Sequence, residues 1–226
     1  MKLYVFDLAG TTVNQTFGVH DSMITAFQSQ GMQIDRQIAS MAIAVPKPVG
    51  ISRILAHLEV PEDEIPPLKS DIHQQFLLDI DRFYAESPLI AETPGTIELF
   101  QRLRSMGIKI GIDTGFDRQT ADTIFKRLGW IEQGLIDASV TSDEVSQGRP
   151  QPDMIFELMR KVGVSSEDDV VKVGDTPADI KQGRIAGCAY VFAVNSGAFP
   201  VEALQAEGPD LIVDSLNELP KFFNWD

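Results

Sequence analysis

The chain has almost no cysteine, no apolar run of membrane-spanning length and a shortage of positive charge. Its 226 residues include a single cysteine, Cys188, which excludes an intramolecular disulfide framework and a cysteine-based zinc cluster. No apolar segment approaches the roughly 20 residues that a transmembrane helix needs. Met1 leads almost directly into an apolar segment, so no signal peptide is expected. These absences favour a soluble protein, and we expect it to be cytoplasmic.

Acidic residues outnumber basic residues, 33 to 19, and the formal net charge is −14. A surface of that sign repels nucleic acid and anionic membranes, so we expect neither as a partner. It also provides no overall attraction for an anionic substrate, which a metal ion or local basic side chains would have to supply. The hydrophobic content of 43% is sufficient for a sizeable core.

Hydrophobic periodicity divides the chain into two kinds of sequence. Residues 14–90 carry helical apolar stripes and no convincing strand, which predicts an inserted helical cap. Within this block, the prolines at 61, 66 and 67 are expected to separate two helices. Apolar stripes on the cap helices would allow a homodimer through the cap.

The remaining sequence alternates short apolar runs with helical patterns, which predicts parallel βαβ units. Strands are expected near residues 3–6, 108–112, 138–140, 170–173, 190–194 and 211–213. The expected fold is therefore α/β: a Rossmann-like doubly wound parallel sheet core, residues 1–13 and 91–226, with a small helical cap, residues 14–90.

Asp7 follows the first apolar run and precedes the small residues Ala9 and Gly10. In an open α/β sheet, ligands bind at the carboxyl ends of the strands. Gly10 permits a sharp turn, and Thr11 and Thr12 offer hydroxyl groups beside the carboxylate. Two interpretations fit this segment: Asp7 is a nucleophile toward a phosphoryl group, or it caps the next turn.

Three further segments place polar side chains after or near predicted strands. In chain order they contain Thr114-Gly115, Arg149 and the pair Asp175 and Asp179. Several carboxylates at one sheet edge repel one another, and a hard divalent cation such as Mg²⁺ relieves that repulsion. Helix caps or solvated loop acids are the alternative for the carboxylates, and a surface arginine is the alternative for Arg149.

Together these segments resemble the haloacid dehalogenase-like hydrolase superfamily, over nearly the whole chain. Three strings resemble its phosphonatase (phosphonoacetaldehyde hydrolase-like) branch: FDLAGTTV, TSDEV…GRPQPDM and KVGDTPADIKQGRIAG. The resemblance implies a magnesium-dependent hydrolase that acts on a small phosphorylated or phosphonylated metabolite through an aspartyl-phosphate intermediate.

The resemblance also implies roles for individual residues. Asp7 would be the nucleophile, and Thr114 and Arg149 the catalytic residues that hold and neutralise phosphoryl oxygens. Thr11 and Gly115 are expected to contact the substrate. The expected metal site consists of Asp7, the backbone carbonyl of Ala9, Asp175 and the nearby Asp179.

Two positions depart from the superfamily pattern. Ordinary phosphatases carry an aspartate at the position of Ala9, where it protonates the leaving group, whereas the phosphonatase branch has alanine. Asp113 or Asp117 could replace that acid. The branch is expected to place its Schiff-base lysine at Arg53, where a guanidinium cannot form an imine. Lys47 does not match that position, so we expect Arg53 to bind an anionic part of the substrate and no imine to form.

Three alternatives to this function stay open. They are a true phosphonoacetaldehyde hydrolase, a phosphomutase and a weakly active metabolite-binding protein. Ala9 disfavours the phosphomutase, because mutases of the superfamily use the missing acid too.

Overall fold

The computed structural model describes residues 1–14, 18–43 and 45–225. One parallel sheet of six strands has the order β3-β2-β1-β4-β5-β6. The strands are β1 (Leu3–Asp7), β2 (Lys109–Thr114), β3 (Ala138–Thr141), β4 (Val170–Gly174), β5 (Tyr190–Val194) and β6 (Leu211–Val213). Each predicted strand is present, and the parallel α/β fold is confirmed.

The central strand β1 is apolar from Leu3 to Phe6 because both faces of the sheet are covered. Tyr4 and Phe6 pack into one hydrophobic cluster, and Leu3 and Val5 pack into the other. In the sheet, β2 and β3 lie on one side of β1, whereas β4, β5 and β6 lie on its other side. A crevice therefore opens between β1 and β4 at their carboxyl ends, where such sheets bind ligands.

Helices account for most of the remaining described chain. They are α1 (Gly18–Ser29), α2 (Arg36–Ala39), α3 (Lys47–His57), α4 (Ile65–Glu86), α5 (Thr96–Ser105), α6 (Arg118–Leu128), α7 (Asp153–Val162), α8 (Pro177–Ala186), α9 (Val201–Gln205) and α10 (Leu219–Phe222). No helix in the described ranges is both long enough and apolar enough to cross a bilayer.

Helices α1 to α4 follow one another between β1 and α5, and the described residues between those two elements contain no named strand. The hydroxyl of Thr123 on α6 donates to Asp81 of α4 at 2.5 Å, which ties this block to the sheet-containing part. The predicted break between two helices is present: Pro61 lies between α3 and α4, and Pro66 and Pro67 stand just after it. They lie in the first turn of α4, where a missing N–H leaves no hydrogen bond unmade. The division into a core and a cap at residues 14 and 91 stays a prediction.

Candidate active site

Asp7 and Asp113 lie side by side at the carboxyl ends of the central strands. Their Cα atoms are partners in the β1–β2 register, and both side chains are buried. Asp175 follows β4, the neighbour of β1 on the other side, and is buried too. The parallel arrangement thus brings three carboxylates from three neighbouring strands to one edge of the sheet.

The loop after β1 is shaped around Asp175. Gly10 has a φ of 98°, and a Cβ at this position would lie 2.3 Å from Asp175 Oδ2. Thr11 Oγ1 donates to Asp175 Oδ1 at 2.7 Å, and Thr12 Oγ1 donates to the backbone carbonyl of Asp7 at 2.8 Å. Gly10 is therefore required both for the left-handed turn and for the close approach of Asp175.

Arg149 connects the nucleophile candidate to two other carboxylates. Its Nη2 donates to Asp7 Oδ1 at 2.5 Å and to Asp113 Oδ1 at 2.7 Å, and its Nη1 lies 3.0 Å from Asp179 Oδ1. Burial alone would lower the pKa of Arg149, but the three carboxylates outweigh burial and raise that pKa well above its usual value. A permanent positive charge is thus fixed beside Asp7.

Lys172, in the middle of β4, was missed by the sequence reasoning. Its side chain is completely buried, its Nζ contacts Asp113 Oδ1, and it lies 3.0 Å from Asp179 Oδ1. The available signal was a single lysine in the apolar strand Val170–Gly174. A lysine is almost never fully buried unless it is paired, so that pattern pointed to buried carboxylate partners.

Asp179 belongs to this ion-pair network more than to an open metal site. Its Oδ1 faces Arg149 and Lys172, and its Oδ2 accepts from Thr176 Oγ1 at 2.6 Å. Burial favours a raised pKa for Asp179, but the two cations outweigh burial and lower it.

Asp7 and Asp175 carry the excess negative charge of the site. Burial raises the pKa of both carboxyl groups, and for Asp175 the charge of Asp7 raises it further. Four buried carboxylates (Asp7, Asp113, Asp175 and Asp179) face only two buried cations, Arg149 and Lys172. Two negative charges remain after these ion pairs; the Lys47 amine at the cavity wall also interacts with Asp7, and a bound cation would balance the rest.

Carboxylate oxygens of Asp7, Asp113 and Asp179 lie within 4.8 Å of one another, close enough to share a metal ion. Asp113 Oδ2 is buried and has no hydrogen-bond partner among the described residues. Two of these three acids are already neutralised by Arg149 and Lys172. We therefore consider Asp7 and Asp175, the acids with raised pKa values, the better candidates for metal ligands. The chemistry of the donor set, hard carboxylate oxygens, fits a hard divalent cation.

A small cavity lies in front of this cluster. Its volume is about 90 Å³, well below the roughly 300–1,000 Å³ of pockets that enclose drug-sized ligands. Its polar lining consists of Asp7, Lys47, Thr114, Ser142, Arg149, Asp175 and Thr176, together with the backbone at Gly115 and Gly148. Its apolar lining is Ala9, Val19, Ile43, Val45, Pro46, Phe116, Met154 and Ala198. The cavity is therefore charged where Asp7, Arg149 and Asp175 meet at the sheet edge, and Lys47 of α3 adds a further cation.

The loop after β2 is held in place on the cavity wall. The Phe116 N–H donates to Thr114 Oγ1 at 3.2 Å, and Ser142 Oγ donates to the Gly115 carbonyl at 3.0 Å. Asp117 Oδ1 accepts from the Thr120 N–H at 2.8 Å and so caps α6. The predicted pair Thr114 and Gly115 thus lines the cavity, whereas Asp117 is engaged as a helix cap.

Lys47 and Arg53 lie at different places on α3. Lys47 begins the helix and lines the cavity, and its Nζ donates to the Ala42 carbonyl at 3.1 Å. Burial, and to a smaller extent the charge of Arg149, lower the pKa of the Lys47 amine to about 8, although Asp7 opposes this shift. Arg53 is exposed and is not among the cavity-lining residues.

Most of the predicted site residues line the cavity, but Thr11, Asp179 and Arg53 do not. Thr11 is buried behind the cavity wall, where it donates to Asp175. Asp113 is held by Arg149 and Lys172, so neither it nor Asp117 stands free to replace the acid absent at Ala9. Arg53 was expected to bind the substrate, but it is exposed and lies outside the cavity lining.

The sequence model of the haloacid dehalogenase-like hydrolase family matches residues 1–187. The chain belongs to this family. A phosphonoacetaldehyde hydrolase of Bacteroides fragilis is 32% identical, over 97% of this chain and 94% of that protein. A phosphonoacetaldehyde hydrolase of Bacillus cereus is 33% identical, over 83% of this chain and 73% of its own length.

Solved structures support the same fold. A phosphonoacetaldehyde hydrolase-like protein from Oleispira antarctica superposes with a TM-score of 0.80 at 21% identity, covering 99% of this chain and 91% of that chain. A hydrolase from Pseudomonas syringae gives the same TM-score and identity, covering 99% of both chains. The family, the fold and the buried acid cluster together establish a hydrolase.

Proposed function

We propose that this protein is a magnesium-dependent phosphonoacetaldehyde hydrolase in which Lys47 forms an imine with the substrate aldehyde. The observation that carries the proposal is the position of the Lys47 amine in the same small cavity as Asp7, Thr114 and Arg149. An imine needs a neutral amine, and a pKa of about 8 leaves a useful neutral fraction at neutral pH. Arg53, which was expected to bind an anionic part of the substrate, is exposed and does not line this cavity.

The cavity also supports a substrate of this class. Its charged end offers Arg149, Thr114 and the amides of the loop after β2 to a phosphonate group. Its small volume favours a substrate with only a few atoms beyond the phosphonate. Ala9 cannot protonate an alkoxide leaving group. A carbon leaving group that is already activated as an iminium does not need that acid.

The proposed reaction has two covalent stages. The Lys47 amine adds to the aldehyde carbon and water leaves, giving an iminium ion. A carboxylate oxygen of Asp7 then attacks phosphorus as the phosphorus–carbon bond breaks. The electron pair of that bond moves toward the iminium nitrogen and forms an enamine. Protonation of the enamine carbon and hydrolysis of the imine release acetaldehyde, and water cleaves the aspartyl phosphate to phosphate.

Arg149 and Thr114 would position the phosphonate for in-line attack and neutralise its oxygens. Asp7 and Asp175 would hold Mg²⁺, with the backbone carbonyl of Ala9 as a further candidate ligand. Bound Mg²⁺ would supply additional neutralisation of phosphoryl charge.

Borohydride reduction tests the proposal. We expect incubation with phosphonoacetaldehyde and borohydride to inactivate the enzyme and to leave a reduced two-carbon adduct on Lys47. Peptide mass spectrometry locates the adduct, and omission of the aldehyde is the control. An unmodified Lys47 in an enzyme that still releases acetaldehyde would refute the imine.

Removal of the metal should affect stability as well as turnover. Mg²⁺ at a concentration 100 times its dissociation constant raises the free energy of unfolding of the bound protein by about 2.7 kcal/mol. This gain corresponds to a Tm increase of about 5–10 °C for a chain of this size. Asp175→Asn should lose most of that increase, because it removes one proposed ligand and the repulsion with Asp7. Differential scanning calorimetry with and without Mg²⁺ measures the Tm increase of the wild type and that of Asp175→Asn. An equal Mg²⁺-dependent shift in Asp175→Asn and wild type would exclude Asp175 as a ligand.

A further inference from the structure

We propose that Lys172 is a positioning residue that keeps Arg149 directed at the nucleophile Asp7. Lys172 does not line the cavity and cannot touch the substrate. It is nevertheless one of only two cations, among the described residues, whose charged atoms meet Asp113 and Asp179.

These four side chains form a closed ring of alternating charge. Arg149 lies 2.7 Å from Asp113 Oδ1 and 3.0 Å from Asp179 Oδ1, and Lys172 contacts the same two oxygen atoms. Each oxygen is therefore shared between the two cations. The Nη2 atom that meets Asp113 is also the atom that donates to Asp7.

Lys172 has no freedom to leave this ring. A Cβ at Gly183 of α8 would lie 2.9 Å from Lys172 Cβ, so the helix packs closely over the base of the lysine. The side chain is completely buried, and its amine contacts both carboxylate partners. Its charge is therefore not available to solvent or to the substrate.

The ring explains how one arginine, Arg149, can contact three carboxylates at once. With Lys172 present, Asp113 and Asp179 are each half neutralised without Arg149, and Arg149 can extend to Asp7. Without Lys172, two buried carboxylates would compete with Asp7 for one guanidinium. Arg149 would then be drawn toward Asp113 and Asp179, away from the position that receives the phosphoryl group.

Charge balance gives a test that a merely structural lysine would not pass. Lys172→Met leaves four buried carboxylates facing one cation. The double variant Lys172→Met with Asp113→Asn leaves three carboxylates and one cation, which restores the excess of two negative charges found in the wild type. We therefore expect the second substitution to rescue the first.

The probe is inorganic phosphate in the presence of Mg²⁺, with binding measured by isothermal titration calorimetry. Lys172→Met should weaken phosphate binding by about tenfold or more. The double variant should return to within about threefold of the wild type. Additive losses, or wild-type affinity in a folded Lys172→Met, would overturn the proposal.

Lys172→Gln is the second variant, since its amide can still donate to Asp113 without carrying charge. We expect its affinity for phosphate to lie between those of the wild type and Lys172→Met. If both single variants fail to fold, the comparison is between the double variant and the wild type. Affinities within about threefold support the proposal, and a gap of tenfold or more refutes it, because Lys172 would then act independently of Asp113.

This inference rests on the proposed function only in taking Arg149 and Asp7 as a phosphoryl site. The two can be separated, because phosphate binding reports on Arg149 and borohydride trapping reports on Lys47. Rescue of phosphate binding without any adduct on Lys47 would uphold Lys172 and reject the imine. An adduct on Lys47, combined with unchanged phosphate binding in Lys172→Met, would uphold the imine and reject the positioning role of Lys172.

Discussion

Asp7→Asn is expected to abolish turnover while the protein stays folded. An amide oxygen is too weak a nucleophile to form the acyl phosphate, so we expect kcat to fall on the order of 10⁵-fold or more. Stability should not fall in parallel. Burial and the neighbouring carboxylates raise the pKa of Asp7, so at neutral pH its negative charge is a cost to the metal-free fold. Steady-state kinetics measure the expected loss of kcat. Thermal unfolding without Mg²⁺ measures whether the stability of the variant is retained.

Asp117→Asn is the matched control for Asp7→Asn. It makes the same chemical change close to Thr114, and asparagine is as good an N-cap as aspartate. Because Asp117 caps α6 and does not line the cavity, the kcat of Asp117→Asn should stay within about twofold of the wild-type value. A large loss in Asp117→Asn would instead identify it as the acid that replaces the one missing at Ala9.

Lys47→Arg is expected to remove cleavage of phosphonoacetaldehyde while a cation remains on the cavity wall. Arginine cannot form the imine, so the carbon leaving group is not activated, and we expect a loss on the order of 10³-fold or more in kcat/KM. Arg53→Lys is the reciprocal control. Because Arg53 is exposed, this change should leave kcat/KM within about twofold. Loss of activity in Arg53→Lys, with retention in Lys47→Arg, would restore the assignment expected from the sequence.

The pH dependence of trapping gives a second view of Lys47. At pH 7, an amine with a pKa of about 8 is about 10% neutral, against about 0.03% for an ordinary lysine. Because only the neutral amine adds to the aldehyde, the trapping rate should rise with pH and level off above about pH 8. A rate that keeps rising toward pH 10 would mean that the reactive lysine is not buried in the cavity.

Much of the site was accessible from sequence because strand ends can be predicted locally. Asp7, Thr114 and Asp175 each follow a short apolar run, and in parallel sheets the carboxyl ends of such runs meet at one edge. The detailed charge balance was not accessible. Nothing local indicates that Asp179 faces Arg149, or that Asp113 is held by Lys172.

The sequence by itself determined the parallel α/β fold, the helical character of the block before residue 90 and the acids at the strand ends. These follow from hydrophobic periodicity and from glycine positions, which act over a few residues. Only the tertiary structure showed that Lys47 lines the cavity and that Arg53 does not. The two are six residues apart on α3, so with 3.6 residues per turn they project about 120° apart around the helix axis. Which direction meets the cavity depends on how α3 packs against its neighbours. Only the tertiary structure, likewise, assigned partners to Lys172, because its buried charge is balanced by carboxylates distant in the chain.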